Sequence, residues 1–141
     1  PLPGHVAAVE SPEGDPTRAA RYPLQLITAK WSLHFLNSQY ANLPRHLAAE
    51  GAMPVELSSE DAAARGIEEG APVRVFNDRG AVVARASVGA RVPAGVVALP
   101  SGWWASLGEG GWSANALTPD TVTDLGAGCA YHDALVEVEP A

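Results

Sequence analysis

The segment APVRVF-NDRG-AVVARASV, residues 71–88, constrains the fold more than any other part of this chain. Val73 and Val75 alternate with a polar residue, which is the period of a strand with one buried face. In the intervening NDRG (77–80), the Asn and Asp side chains can bond their own backbone, and the Gly accepts a positive φ. The segment is therefore predicted to be two strands joined by a turn.

Four more short segments have strand character, because each holds apolar residues in alternation or in a run between turn-forming residues. They are YPLQLIT (22–28), MPVELSS (53–59), GVVALP (95–100) and ALVEVE (134–139). Together with the first two strands they make six, joined by small helices and long loops. This pattern predicts a mainly β protein, a closed β barrel with minor helices.

Two small helices are predicted between the strands. Pro44 limits the first to a start near that residue, and it ends around Glu50, before a glycine. In SSEDAAARGI, Ser58 and Asp61 have the spacing of a capping box, and Gly66 suits the left-handed position after the helix. This second helix is barely two turns long, so packing has to hold it.

Two loops, 29–43 and 101–133, are too long to be simple connectors, and long loops on a compact domain are usually functional. The second loop holds Trp103, Trp104 and Trp112 among several glycines. Glycine lets the backbone approach a flat ligand closely, and tryptophan covers a large apolar area. We therefore expect this loop to fold over a bulky group. The alternative is that Trp103 or Trp104 closes one end of the barrel.

Residues 1–21 are rich in proline and are expected to form an extended linker. It would enter the domain, residues 22–141, from domains upstream. A short native N-terminal arm is the alternative.

Composition excludes several classes of partner. The length of 141 residues suits one domain, and the formal net charge of −7 argues against nucleic acid or an anionic membrane, because both require a basic surface. No apolar run is long enough to be a membrane segment. Cys129 is the single cysteine, so neither a disulfide nor a cysteine-built metal site can form within the chain. We expect Cys129 to be a small buried residue.

Patterns for catalysis are weak. The spacing of His34, His46 and His132 matches no recognised metal motif. A Ser38–His132–Asp124 triad lacks a nucleophile elbow, so an independent hydrolase rests only on scattered side chains. The glycine motifs that bind nucleotide phosphates are also missing. No catalytic or metal-ligating residue is therefore predicted in this chain.

The two long loops instead hold many hydrogen-bonding side chains and one cation, a set that suits a large heteroaromatic or phosphorylated ligand. The same residue types also commonly stabilise loop turns, so both interpretations stay open. The residues are Thr28, Lys30, His34, Asn37, Ser38, Gln39 and Asn42 in the first loop and Asn115, Thr118, Asp120, Thr123, Asp124, Tyr131 and His132 in the second.

Five blocks of sequence, in this order, resemble the C-terminal molybdopterin-dinucleotide-binding domain of the DMSO-reductase family. They are RYPLQLITAKWSLHFLNSQYANLP, VELSSEDAAARGIEEGAPVRVFNDRGAVVARASV, GVVALPSGWW, NALTPDTVTDLGAG and YHDALVEVE, and they cover about residues 20–140. The resemblance implies a six-stranded double-psi β barrel and a molybdopterin guanine dinucleotide cofactor that carries molybdenum or tungsten. It also implies a part in an oxidoreductase, with a lean towards formate dehydrogenase-like and nitrate reductase-like members.

The resemblance also implies which residues bind the cofactor. The family's Thr-x-Lys loop falls on 28–30, where Lys30 would offer its charge to a pyrophosphate or ring oxygen. The family's Asn-x-Leu-Thr begins at Asn115, which should face the pterin or its phosphate. The full set of implied cofactor-binding residues is Thr28, Ala29, Lys30, His34, Asn37, Ser38, Gly102, Trp103, Asn115, Tyr131 and His132.

The family's molybdenum ligand (Cys, selenocysteine or Ser) lies in another domain, and no residue here matches it; Cys129 is not at that position. The resemblance therefore implies upstream catalytic domains in the same polypeptide, an iron–sulfur cluster in its N-terminal part, a small-molecule redox substrate and an inactive isolated fragment. We expect a cytoplasmic protein whose isolated barrel self-associates through apolar surface around Trp103, Trp104 and Trp112. A stand-alone double-psi barrel acting as a binding or adaptor module is the alternative.

Overall fold

The computed structural model describes residues 4–30, 39–41, 43–107, 110–123 and 125–141. Its strands are β1 Leu24–Lys30, β2 Pro54–Ser58, β3 Pro72–Phe76, β4 Ala81–Gly89, β5 Val96–Ser101 and β6 Ala134–Pro140. The helices in these ranges are α1 Pro16–Ala19, α2 Pro44–Glu50 and α3 Ser59–Ala64, with 3₁₀ turns at Ala105–Leu107 and Ala114–Ala116.

The strands form a closed barrel in the order β1–β5–β2–β4–β3–β6, and β6 pairs with β1 to close it. The β1–β5 and β2–β4 pairs are parallel, whereas the other pairs are antiparallel. Parallel neighbours need long crossover connections, which accounts for the helices and loops between them. The architecture confirms the predicted mainly β, six-stranded double-psi barrel.

Alternating apolar residues fill the interior of the barrel. Val73 and Val75 of β3 are fully buried, and in β4 Val82, Ala84 and Ala86 are buried while the residues between them are partly exposed. Each predicted strand is present, with ends shifted by at most two residues. The period-two pattern therefore predicted the buried face of β3, whereas β5 is buried at four consecutive positions and shows no such alternation.

Both predicted helices are present. The first, α2, begins and ends as predicted, and Gly51 follows it at a φ of 68°. Ser58 caps α3, because its Oγ accepts the N–H of Asp61 at 3.0 Å and its hydroxyl donates to the Asp61 carboxylate at 2.6 Å. That carboxylate also accepts the N–H of Gly95 at 2.8 Å, which ties α3 to the start of β5. After α3, Gly66 has the predicted positive φ, 64°.

The turn between β3 and β4 is present, but one of its details differs from the prediction. The N–H of Asn77 donates to the Gly80 carbonyl at 3.0 Å, and Asn77 Oδ1 accepts the N–H of Arg79 at 3.0 Å. The prediction of a positive φ at Gly80 was wrong. Glycine avoids a tight contact there instead, since an added Cβ would lie 3.0 Å from the carbonyl oxygen of Ala116.

The segment before β1 contacts the barrel through Glu10, which is nearly buried. Its carboxylate accepts hydrogen bonds from Arg79 at 2.7 and 2.9 Å and from the N–H of Leu135 at 2.6 Å. Burial alone would raise the pKa of Glu10, but these hydrogen bonds and the charges of Arg79 and Arg18 hold it below its ordinary value of 4.5. Glu10 thus anchors the predicted linker to the barrel; the connection of the linker to upstream domains stays a prediction.

Candidate functional site

One rim of the barrel carries a cavity of about 770 Å³. This volume lies within the range typical of small-molecule and cofactor sites. Its wall comes from four segments: the ends of β1 and β5, the loop around the second 3₁₀ turn, and the residues before β6. The lining residues are Thr28, Ala29, Lys30, Ser101, Gly102, Asn115, Thr118, Pro119, Asp120, Cys129, Tyr131 and His132.

The parallel pairing of β1 with β5 brings the first two segments together. Ala29 lies beside Pro100 and Lys30 beside Ser101 in the register of this pair. Because the strands are parallel, their carboxyl ends meet at the same rim, and both long loops leave the barrel there. Thr28 is buried, whereas Lys30 is exposed at the mouth of the cavity.

The third segment, residues 114–120, is anchored by its apolar side chains. Ala114 and Leu117 are buried in the core, while Asn115 and Thr118, each one position further on, line the cavity. The hydroxyl of Thr118 donates to the carbonyl of Asn115 at 3.3 Å. Asp120 adds an exposed carboxylate to the same wall. The segment thus presents amide, hydroxyl and carboxylate groups on one side.

His132, which also lines the cavity, is hydrogen-bonded to β1. Its Nδ1 accepts the backbone N–H of Thr28 at 3.2 Å, and its carbonyl accepts the side-chain amide of Gln25 at 2.9 Å. The ring of Tyr131 lies 4.4 Å from the His132 ring, tilted by 59°. Because Nδ1 accepts, the second nitrogen is the one that can serve as a donor in the neutral ring.

Most of the described residues implied as cofactor ligands line this single cavity. They are Thr28, Ala29, Lys30, Gly102, Asn115, Tyr131 and His132. Trp103 does not line it, because its side chain is 4% exposed and packs in the hydrophobic core. His34, Asn37 and Ser38 lie outside the described residues. Binding of the cofactor by these residues stays a prediction.

Two further expectations were wrong. Cys129 is exposed and lines the cavity, although it was expected to be a buried core residue. Trp103 was expected among the exposed apolar surface, whereas only Trp104 and Trp112 of that trio are exposed, by 49% and 59%. The cavity also includes Thr118 and Asp120, which belonged to the hydrogen-bonding inventory of the second loop but not to the family's implied ligand set.

The donor set of the cavity fits a dinucleotide. Lys30 can pair with a phosphate, and the amide and hydroxyl groups of Asn115 and Thr118 can bond the polar edges of heteroaromatic rings. Asp120, as an acceptor-only carboxylate, suits the N–H groups of a purine edge. Among the described residues, no group of three or more His, Cys, Asp or Glu side chains is placed to hold a metal ion.

Comparison with known proteins identifies the family of this chain. Residues 24–135 match the family described as the molydopterin dinucleotide binding domain. The match extends over most of the chain and includes strands β1 to β5 and every residue of the cavity wall. The chain belongs to this family, whose description names a molybdopterin dinucleotide as the ligand.

Among curated relatives, a probable oxidoreductase, YoaE, of Bacillus subtilis (strain 168) is 38% identical over 75% of this chain and 15% of its own length. Trimethylamine-N-oxide reductase of Salmonella typhi is 36% identical over 93% of this chain and 17% of its own length. The chain therefore spans only about a sixth of these relatives, which are oxidoreductases.

Among solved structures, acetylene hydratase from Pelobacter acetylenicus superposes with a TM-score of 0.79 at 22% identity. The alignment covers 99% of this chain and 21% of that chain. At this identity the likeness establishes the fold alone.

Within the described residues, none of the helices combines the length and apolar character needed to cross a bilayer.

Proposed function

We propose that the 770 Å³ cavity is where this chain contacts the molybdopterin guanine dinucleotide. The observation that carries the proposal is the convergence of four segments, remote in sequence, on one polar hollow with a cation at its mouth. A set of residues that served only to stabilise turns would have no reason to share a cavity of this size.

In this proposal each residue has a separate task. Lys30 supplies a point charge to the phosphates, and its exposed position leaves the ammonium free to move to them. Asn115 and Thr118 bond the ring edges through amide and hydroxyl groups. His132 donates from the nitrogen that Thr28 does not occupy.

We propose further that this chain acts as one domain of a larger oxidoreductase, because its relatives are about six times longer than the region they share with it. The cofactor, when bound, supplies the metal-centred redox chemistry, and the protein supplies binding and orientation. The residues of this chain then hold and orient the dinucleotide, and the chain alone performs no turnover. An iron–sulfur cluster in an upstream part stays a prediction.

For the substrate class, the name of one relative supports reduction of an N-oxide. We therefore propose an organic N-oxide substrate in preference to formate or nitrate, although the sequence blocks favoured formate dehydrogenase-like and nitrate reductase-like members. The full-length oxidoreductase that contains this domain should be assayed with viologen dye. Reduced dye should be oxidised faster with trimethylamine N-oxide than with nitrate, and formate should not reduce the oxidised dye. The opposite order of rates would restore the formate dehydrogenase-like or nitrate reductase-like interpretation.

The cavity itself can be tested on this chain, because Cys129 is its single cysteine and lies on the wall. Guanosine diphosphate, which carries the guanine, ribose and phosphates of the dinucleotide, should slow alkylation of Cys129 in a saturable manner. Lys30→Gln should weaken this protection by about tenfold, equivalent to about 1.4 kcal/mol, and most strongly at low salt. Arg91→Gln is the matched control, because Arg91 is an exposed cation that pairs with Glu56.

Equal protection in Lys30→Gln and in the parent chain would exclude Lys30 from the site. If neither guanosine diphosphate nor the dinucleotide extracted from a molybdenum oxidoreductase altered the alkylation rate, the cavity would not be the cofactor site.

A further inference from the structure

The backbone carbonyl of Leu117 receives three hydrogen bonds from the turn between β3 and β4. Asn77 Nδ2 donates at 2.8 Å, and Arg79 donates from Nε at 2.9 Å and from Nη2 at 2.6 Å. Both Leu117 and Asn77 are buried. A buried carbonyl with this many donors is held firmly, because moving it would break three hydrogen bonds at once.

The Arg79 guanidinium is itself fixed from the other side. Its two Nη atoms donate to the two carboxylate oxygens of Glu10, in the paired geometry that makes such contacts strong. Glu10 is in turn bonded to the N–H of Leu135, while Asn77 Nδ2 also donates to the Leu135 carbonyl at 3.1 Å. The network therefore joins the N-terminal segment, the turn and the start of β6 to one carbonyl group.

The same turn contacts the neighbouring residue as well. Gly80 approaches the carbonyl of Ala116 so closely that a Cβ would lie 3.0 Å from it. Ala116 and Leu117 stand between Asn115 and Thr118, both of which line the cavity. The contacts that Asn77, Arg79 and Gly80 make with residues 116 and 117 all involve backbone carbonyl groups. The turn therefore fixes the path of the backbone rather than any one side chain.

We propose that Asn77 and Arg79 are positioning residues for the dinucleotide site, which hold the 114–120 segment so that its polar groups face the cavity. Glu10 serves as the counter-ion that orients the Arg79 guanidinium. This inference rests on the proposed function of the cavity, but it concerns residues that do not themselves line it.

The test variant is Arg79→Lys, which keeps the positive charge beside Glu10. A single ammonium lacks the planar fork, so it cannot bond the Glu10 carboxylate and the Leu117 carbonyl in the geometry of the guanidinium. The matched control is Arg65→Lys. Arg65 is also partly buried and also bonds a carboxylate and a carbonyl, those of Glu137 and Asp61, neither of which lines the cavity.

The first measurement is amide hydrogen exchange in the ligand-free chain, followed residue by residue by NMR. The N–H of Leu117 donates to the Ala114 carbonyl at 3.0 Å, so its exchange reports on the shape of the segment. Arg79→Lys should accelerate exchange at Leu117 and at Ala116, whose N–H donates to the Ser113 carbonyl at 2.9 Å, by at least about tenfold relative to Arg65→Lys. Exchange that is equally slow at these amides in both variants would overturn the positioning role.

The second measurement is the affinity for guanosine diphosphate, read from the protection of Cys129. Arg79→Lys should weaken the affinity by about tenfold. Arg65→Lys should lower Tm by a similar amount but change the affinity less than about twofold. Equal affinity in both variants would mean that the network stabilises the fold without serving the site. Absence of binding in the parent chain would instead contradict the proposed function, and the exchange rates would still decide whether the turn positions the segment.

Discussion

Thr28 and His132 are joined by a hydrogen bond in which the backbone N–H of Thr28 donates to Nδ1 of His132 at 3.2 Å. A backbone N–H can only donate, so Nδ1 must carry a lone pair. We therefore predict that neutral His132 carries its proton on Nε2. The ¹⁵N chemical shifts of the imidazole will check this, and a proton found on Nδ1 would contradict it.

The same contact predicts the effect of removing the ring. His132→Ala should weaken the protection of Cys129 by guanosine diphosphate about tenfold, because the oriented donor is lost from the cavity wall. His46→Ala should leave protection unchanged, since His46 stacks on Tyr40 and does not line the cavity. A comparable loss in both variants would show that the imidazole of His132 has no specific part.

Gly80 offers a test of the close approach to the 114–120 segment. Gly80→Ala places a Cβ about 3.0 Å from the Ala116 carbonyl, so the segment must move, and both Tm and ligand affinity should fall. Gly89→Ala is the control, because an added Cβ there meets nothing within 4 Å and Gly89 does not have a positive φ. Thermal unfolding and Cys129 alkylation measure the two effects; unchanged affinity in Gly80→Ala would contradict the expectation.

Glu10 gives a pH-dependent prediction. Its pKa is lower in the folded chain than its ordinary value of 4.5. The contribution of ionised Glu10 to the free energy of unfolding is therefore fully present above pH 4.5, and it is lost as the pH falls through the lower pKa of the folded chain. Glu10→Gln should reduce the free energy of unfolding by about 1–3 kcal/mol near neutral pH, and the difference should shrink in acid.

Urea unfolding of both chains at a series of pH values measures this difference. Glu139→Gln is the control, because Glu139 forms an exposed pair with Arg74 that should contribute at most about 1 kcal/mol. A deficit in Glu10→Gln that stayed constant from neutral to strongly acid pH would show that the charge of Glu10 does not contribute.

The exposed tryptophans lead to a prediction about association. Trp104 and Trp112 are 49% and 59% exposed, so this chain should self-associate at high concentration. Changing both to Ser should shift sedimentation towards the monomer, whereas Tyr40→Ser, at a position 59% exposed, should not. A parent chain that stays monomeric at every concentration would contradict the expectation.

Local features of the fold could be predicted from the sequence. The strands follow from period-two alternation, and α3 follows from a cap whose partners, Ser58 and Asp61, are three residues apart. These features depend on neighbours within a few positions. The cavity-lining residues at 28–30, 115 and 131–132 meet only when the barrel closes. Local sequence patterns could not show this, and these residues were implied by resemblance to a family.

Other features depend on contacts between remote residues and could not be predicted. The bonds from Glu10 to Arg79 and to Leu135 join residues 69 and 125 positions apart. Whether a Trp or a Cys is buried is decided in the same way, which explains why Trp103 lies in the core while Cys129 lies on the cavity wall. Residue type gave the opposite expectation for Cys129, whereas burial of Trp103 at one end of the barrel was kept only as an alternative.

The parallel alignment of β1 with β5 has a consequence for how such domains diversify. Lys30 and Ser101 are paired at the last register position, so both long loops depart from adjacent points on one rim. Residues gained or lost in either loop would reshape the pocket without disturbing the strand pairing beneath it. Outside the buried Trp103, Ala114 and Leu117, loop length can therefore vary with little effect on barrel stability, which makes the exposed parts of this rim the natural place for relatives with one scaffold to acquire different specificities.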